Sequence, residues 1–568
     1  QGYRIQVGSK SISVDSADAA GRWNAIQTLR QLLLAGPRDA AALPFCRIED
    51  HPDLTLRGVH LDISRNRVPT METLFGLVDV LSLLKFNHLE LYTEHTFAYA
   101  GHPIVWRDAS PITPEQARTL DRYCAERGIE LVPNQNSLGH MEKWLRHPEY
   151  HYLAETPDGF EDPGGVFRPH GSCLSPAVAE TRSFLAGLYD ELLPNFTSRT
   201  LNIDGDEPWE LCQGRSAGLC RTVGKGRVYL DFIKDIHAML DERGVRMMLF
   251  DDVLAGYPDA VGELPRDVIL GNWGYEAGHS FAGELEKFSE LRLKRLVCAG
   301  TSSWNSIGGR WQNARENISK AARAARDYDA GRLLVSDWGD NGHLQQLLVS
   351  FPGFVYAAAV SWACDANEDL EVGRAVTETI FGGAGVGASP GEALLALGNT
   401  YLAEPLRLHN ATVLAATLIP GLRPYYAAEL RALAGEELRG VVDEIEQVRG
   451  LVRGVRSPPA ARGPLGAAVH GRARAPGLDP ALVAEEMRFT ADFLTFAADF
   501  ARQTFGSGDI DPRRIPAASR SELSEHIGEL AERFEALWLE RYRPGGLSDS
   551  LAVLEQIESE LQQIPAAR

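Results

Sequence analysis

Thr200-Leu201-Asn202-Ile203-Asp204-Gly205-Asp206-Glu207-Pro208-Trp209 begins as an apolar, strand-like run and breaks into a turn bounded by glycine and proline. Successive side chains on a strand point to opposite faces, so the neighbours Asp206 and Glu207 can serve one pocket only once the strand has begun to break. Gly205 and Pro208 supply that break. A buried strand that ends in a carboxylate-bearing turn is where an α/β enzyme keeps its chemistry. The same pair also fits the cap and first turn of a following helix, where orphan N–H groups favour negative charge. The surrounding pattern has to decide between the two.

From residue 57 to 380 a short β-rich run, a polar loop and an amphipathic helix alternate. Eight runs read as strands: 58–63, 88–93, 130–134, 200–204, 246–250, 267–272, 295–300 and 333–336. Eight parallel strands close a (β/α)8 barrel, and this length fits one with inserted loops. The helices between them carry legible boundaries. Thr113-Pro114-Glu115-Gln116 is a capping box with proline at the first helical position, and Ala117, Leu120 and Cys124 form its apolar stripe. Ser175-Pro176 starts another helix with Phe184, Leu188 and Leu192 inward, and Val228, Phe232, Ile236 and Leu240 mark a third.

Before the barrel, residues 3–7 and 11–14 alternate like strands and 18–34 shows helical spacing, so a small α+β domain is expected over 1–52, with 44–52 as its linker. The barrel then occupies 53–385. Residues 386–568 are Ala- and Leu-rich, with helical stretches near 391–404, 424–450, 481–505, 519–541 and 548–563. A Pro-, Gly- and Arg-rich stretch, 456–480, reads as a long mobile loop within this helical C-terminal domain. That domain is expected to pack on the barrel, line the pocket or build a homodimer.

The chain has 568 residues and a formal net charge of -20, with no basic run interleaved with aromatics. Nucleic acid and anionic membrane are therefore excluded as expected partners. No run approaches the roughly 18 apolar residues of a membrane helix. The chain does not open with a signal peptide, which points to a cytoplasmic location. Gln1-Gly2-Tyr3-Arg4-Ile5 already reads as a strand, so natural residues are expected to precede it. Seven scattered cysteines, with no Cys-x-x-Cys and no histidine at zinc-ligand spacing, read as mostly buried small hydrophobes. Neither a cofactor nor a metal is expected, although Asp204, Asp206 and Glu207 offer hard oxygen ligands.

In such a barrel the active site lies at the C-terminal strand ends. The residues falling there are Asp62 and Arg65; Tyr92, Glu94 and His95; Asn134, Asn136 and His140; Asp206, Glu207 and Trp209; Asp251 and Asp252; Trp273 and Tyr275; Trp304 and Asn305; Trp338 and Asp340. Converging carboxylates, one arginine and several tryptophans suit a sugar: indoles stack on pyranose faces and charged groups bond hydroxyls. Each tryptophan also fits a barrel cap, and Asp251 and Asp252 fit caps of the next helix.

Several of these segments together resemble glycoside hydrolase family 20, the β-N-acetylhexosaminidases. Arg57-Gly58-Val59-His60-Leu61-Asp62-Ile63-Ser64-Arg65 is similar to the family's first barrel strand and its sugar-binding arginine, Arg65 here. Phe86-Asn87-His88-Leu89-Glu90-Leu91 resembles the second strand, and Gly128 to Pro133 with Leu138-Gly139-His140 the third strand and its loop histidine. Ile203-Asp204-Gly205-Asp206-Glu207 sits where the family carries its catalytic Asp-Glu pair. Residues 20–32 resemble its small α+β domain, truncated at the start. The resemblance covers roughly residues 3–365 and implies removal of terminal β-linked N-acetylglucosamine or N-acetylgalactosamine, with retention and with the substrate's own 2-acetamido oxygen as nucleophile.

By that resemblance Glu207 is the acid and base, Asp206 accepts the acetamido N–H, and His140, paired with Glu94, supports Glu207. Trp273, Trp304 and Trp338 wall the acetamido pocket and Asp340 binds far hydroxyls. Many members carry a tyrosine on the seventh strand, where Ser303-Trp304-Asn305 stands here, so Tyr275 is the expected substitute. Phe250-Asp251-Asp252 also departs from the usual tryptophan. With the helical tail these features look like the D-type hexosaminidases, a branch that favours galactosaminides. A conventional glycosidase pairing Glu207 with Asp251 or Asp252, and a non-catalytic sugar-binding barrel, remain alternatives.

Overall fold

A computed structural model describes residues 1–35, 43–287, 289–291, 293–381, 388–455, 479–505 and 510–563. The stretch expected as a mobile loop, 456–480, lies outside them up to residue 478.

Each of the eight β-rich runs forms a barrel strand: β4 (Leu56–Asp62), β5 (His88–Tyr92), β6 (Glu130–Val132), β9 (Thr200–Asn202), β10 (Arg246–Phe250), β11 (Ile269–Trp273), β12 (Lys294–Gly300) and β13 (Arg332–Asp337). A two-residue hairpin, β7 (Phe160–Glu161) with β8 (Phe167–Arg168), rises from the loop after β6. The barrel order is β6-β5-β4-β13-β12-β11-β10-β9, all parallel. Closure comes from the bridge Asn134 to Asn202, where Asn202 N donates to Pro133 O and Gln135 N to Asn202 O, both at 3.0 Å.

Strands buried on both faces read as continuous apolar runs, which is why their positions are legible. The interior carries an apolar layer of Met248, Phe250, Ile269, Leu296, Cys298 and Leu334. Beside it lies a buried polar chain, with Glu90 accepting from Asn202 Nδ2 at 2.8 Å and standing 2.6 Å from His88 Nε2. Outside, Val228, Phe232, Ile236 and Leu240 of the helix Lys225–Asp241 are buried as expected, and Thr113 with Gln116 forms the capping box of Pro114–Ala125. The helix expected from Ser175 starts later, at Glu180–Leu192, with no side-chain cap at Ala179, and the Ser175 hydroxyl donates to buried Glu155 at 2.6 Å.

The front unit has β1 (Tyr3–Val7) at the centre of an antiparallel sheet, order β2-β1-β3, with β2 at Ile12–Ser16 and the helix Ala19–Ala35 on it. Residues expected as linker contain β3 (Cys46–Asp50), paired along the other edge of β1. Its burial alternates, but Cys46 and Ile48 are the only apolar residues of the run, so the signal is short. Beyond the barrel, helices include Pro390–Asn399, Val413–Leu418, Ala427–Arg431, Arg439–Gly454, Pro480–Thr504, Ala517–Arg541 and Leu547–Gln562. The single stretch expected over 424–450 is thus two helices, joined by a 3-10 turn at Gly435–Leu438. Buried Arg541 and Glu486 pair between Ala517–Arg541 and Pro480–Thr504, Nη2 to Oε2 at 2.6 Å. This region packs on the barrel: Thr70 N donates to Arg541 O and Arg543 N to Val68 O, each at 2.9 Å.

Two of the seven cysteines correct the expectation of buried thiols. Cys212 and Cys220 form a disulfide, because the helix Ala217–Val223 turns Cys220 back over the loop that follows β9. Cys124, Cys173, Cys298 and Cys364 are buried and Cys46 is half-buried.

Candidate active site

The turn after β9 leaves the extended conformation at Asp204 (φ 54°), Gly205 (77°) and Glu207 (46°). Left-handed backbone at a non-glycine residue costs about 1–3 kcal/mol and persists only where surroundings over-determine it. They do so here: Phe250 N donates to Asp204 O at 2.8 Å, Tyr229 Oη to Gly205 O at 2.9 Å, and Glu207 N to Asp252 Oδ2 at 3.0 Å. The strand alternation is thereby cancelled, and both Asp206 and Glu207 reach His140. Its Nε2 lies 3.9 Å from Asp206 Oδ2 and 3.4 Å from Glu207 Oε2.

Burial pushes the Glu207 carboxyl up to about 7, and Asp252 adds to the shift. Burial likewise raises Asp252 to about 6 and Asp251 to about 7. Asp206 is raised by burial and by the charges of Asp252 and Glu207, and Asp204 by burial and by Asp206. Carboxyls this close in a dry site cannot all ionise, so the cluster retains protons near neutral pH. Burial and Arg65 hold His140 down to about 3, so its imidazole is neutral. Glu207 remains the accessible acid, its side chain 32% exposed.

Arg65 gathers the other side of the pocket. It lies 3.2 Å from Asp62 Oδ2, 3.3 Å from Asp340 Oδ1 and 3.7 Å from Glu94 Oε1, with its guanidinium 4.8 Å from the Tyr92 ring centre and 5.0 Å from that of Trp338. Burial opposes its charge, but Tyr92 and these carboxylates outweigh that and hold it fully cationic. Glu94 accepts from Tyr92 Oη at 3.0 Å. It is therefore committed to Arg65 and Tyr92, and the expected pairing of Glu94 with His140 is not formed. Burial lifts Glu94 to about 7.

The aromatic wall is Trp273 stacked on Tyr275 (centroids 5.2 Å, 20°), with Trp338 at 6.4 Å from Tyr275. Burial pushes the Tyr275 hydroxyl up, against the opposing influence of the Ser336 and Trp338 side chains. Trp304 departs from expectation: it is 0% exposed, edge-on to Tyr275 at 5.1 Å, and donates Nε1 to Asn410 Oδ1 at 2.9 Å. It backs Tyr275 and cannot itself face a sugar. Asn410, from the helical region, carried no signal in the sequence, since only the fold brings that loop to β12. Asp252 and Asn134, the latter donating to Asp204 Oδ1 at 3.0 Å, were strand-end residues whose contribution depends on the turn.

Gly139 shows how tightly the turn is held. A Cβ there would stand 2.4 Å from Asp206 O and 3.3 Å from Glu207 O, both backbone atoms that cannot swing aside. Gly139→Ala is expected to displace the Asp-Glu turn by a few tenths of an ångström or more. Misplacement of about 1 Å costs on the order of a hundredfold in rate. Turnover measured alongside a melting curve checks this, and wild-type turnover in the variant would show that the turn tolerates the shift.

Residues 55–287 match the family model described as glycosyl hydrolase family 20, catalytic domain, and residues 1–51 match domain 2 of the same family. A beta-hexosaminidase of Akkermansia muciniphila is 27% identical over 244 residues, 39% of this chain and 47% of that protein. A beta-N-acetylhexosaminidase of Cellulomonas fimi is 26% identical over 249 residues, 40% and 49% respectively. The chain thus spans about half the length of the curated relatives it matches. Among solved structures, a Flavobacterium johnsoniae chitobiase superposes with a TM-score of 0.54 at 16% identity, covering 94% of this chain and 86% of that one, a likeness of fold. The two matches take in the small domain and the barrel through β11, β12 and β13 close the same barrel, and the chain belongs to glycosyl hydrolase family 20.

Proposed function

We propose that the protein is an exo-acting, retaining β-N-acetylhexosaminidase that removes terminal β-linked N-acetylglucosamine or N-acetylgalactosamine. The observation that carries this reading is the adjacency of Asp206 and Glu207 on one strand end, with His140 at both. A conventional retaining site needs its two carboxyls about 5 to 5.5 Å apart on opposite sides of the scissile bond, which neighbours in one turn supply poorly. The same neighbours suit an acid and an acetamido group of one sugar.

In this mechanism Glu207, protonated below about 7, gives its proton to the glycosidic oxygen. The acetamido oxygen attacks C1 as that bond breaks, forming an oxazolinium ion. Asp206 accepts the acetamido N–H and, ionised against the cation, stabilises it, while buried Asp204 keeps the proton of the pair. Glu207 then takes a proton from water, which opens the ring at C1 with net retention. Trp273, Tyr275 and Trp338 surround the acetamido group and ring, and Arg65 with Asp340 binds hydroxyls at the chain end. Trp304 contributes through Tyr275.

Release of nitrophenol from both nitrophenyl β-N-acetyl-glucosaminide and -galactosaminide tests the reading, with the first-formed anomer read by proton NMR. The expected result is turnover of at least one epimer, the β-anomer first, and inhibition by a thiazoline analogue of the intermediate. Failure on both substrates, or first release of the α-anomer, removes it.

A further inference from the structure

The loop that carries Arg65 is gripped from behind by the C-terminal helices. Asn66, at φ 71°, donates Nδ2 to Ser550 Oγ at 3.1 Å, and a Cβ on Gly546 would stand 2.1 Å from Asn66 O. Arg67, 1% exposed, lies with its guanidinium 4.6 Å from the ring centre of Tyr542, 4.8 Å from Trp538 and 5.4 Å from Phe534. On its other side Arg67 Nη1 donates to Gln345 O at 2.6 Å, and Gln345 Nε2 donates to Trp338 O at 2.8 Å. His343 Nδ1 stands 3.0 Å from Arg65 O. One buried cation therefore ties together the loop after β4, which presents Arg65, and the loop after β13, which presents Trp338 and Asp340. The aromatic cage of the helical region is its third support.

We propose that Arg67 is a positioning residue through which the C-terminal helical region sets Arg65 against Asp340, and so sets which sugar epimer the pocket accepts. The proposal rests on the reading of the pocket as an amino-sugar site. Epimers differ only in where one hydroxyl points, and Arg65 and Asp340, 3.3 Å apart, are the charged pair that the reading assigns to the sugar hydroxyls. Their hydrogen bonds are directional, so a small change in their separation favours one hydroxyl orientation over the other. Lysine at 67 keeps the charge but loses the planar fork and the stacking on three rings. It is expected to hold Gln345 and the three rings less rigidly.

The test measures kcat and KM on both nitrophenyl epimers for the wild type, Arg67→Lys and Trp538→Phe, the last retaining a buried ring should Arg67→Lys fail to fold. Circular dichroism verifies folding. The expected result is a rise in KM that exceeds the fall in kcat, and a change of about fivefold or more in the ratio of the two kcat/KM values. If both epimers lose the same factor in a folded variant, Arg67 only supports the fold and the proposal is overturned. If the wild type cleaves neither epimer, the reading of the pocket fails first and takes this proposal with it.

Discussion

Glu207→Gln is expected to lower kcat on a 4-nitrophenyl amino-sugar substrate by about a hundred- to ten-thousand-fold, the usual contribution of a positioned general acid. Glutamine keeps the size of the side chain and lets Asp252 still accept the backbone N–H of residue 207. What it removes is the transferable proton. Wild-type activity should fall as pH rises through about 7, because the raised carboxyl is protonated below that value and ionised above it. The variant should lose this limb, and a dinitrophenyl leaving group, which needs less protonation, should recover part of the rate. Stability follows the same ionisation. Above pH 7 the wild type holds a buried Glu207 charge beside Asp252, whereas the unfolded chain ionises it freely, so native stability falls as pH rises from the ordinary carboxylate value towards 7. Removing that charge should leave the melting temperature unchanged or higher at pH 8. Wild-type kcat with an unchanged pH limb would assign the acid elsewhere.

Asp206→Asn carries the second large effect, a loss of about a hundred- to a thousandfold in kcat/KM on acetamido substrates. That is the typical consequence of removing one group aimed at developing charge in the transition state. In the proposed mechanism the carboxylate accepts the acetamido N–H and faces the cationic intermediate, and an amide offers no charge. Comparison with the Glu207 variant separates the roles: a better leaving group should help Glu207→Gln and leave Asp206→Asn almost as slow, since the ring closure still lacks its anion. An Asp206→Asn enzyme with wild-type kcat/KM would sink acetamido participation while leaving Glu207 as acid. Competence on a plain glucoside, lacking the acetamido group, would point instead to Asp251 or Asp252 as an enzymic nucleophile.

Local chemistry made much of the barrel legible. Parallel strands buried on both faces are written as short apolar runs, and each of the eight appears within three residues of its expected ends. Thr113, Gln116 and Pro114 fix a helix start by bonds within four residues, and the structure retains it. Ser175-Pro176 misled, because the helix begins further on, after Ala179 and without a side-chain cap, while the fold brings Glu155 to the serine hydroxyl. The strand β3 was obscured because Cys46 and Ile48 are its only apolar residues, and the cysteine pair by the absence of any sequence mark for a turn that brings Cys212 to Cys220.

The sequence by itself determined the eight-strand barrel and the placing of Asp206 and Glu207 where one strand breaks at Gly205, since strand period, glycine and proline act over a few residues. Only the tertiary structure decided which strand-end groups meet. Glu94 turned to Arg65 rather than to His140, Trp304 went behind Tyr275 under Asn410, and the C-terminal helices closed an aromatic cage on Arg67. Those outcomes depend on charge neutralisation and packing between different strand-end loops and the C-terminal helices, which no local pattern encodes.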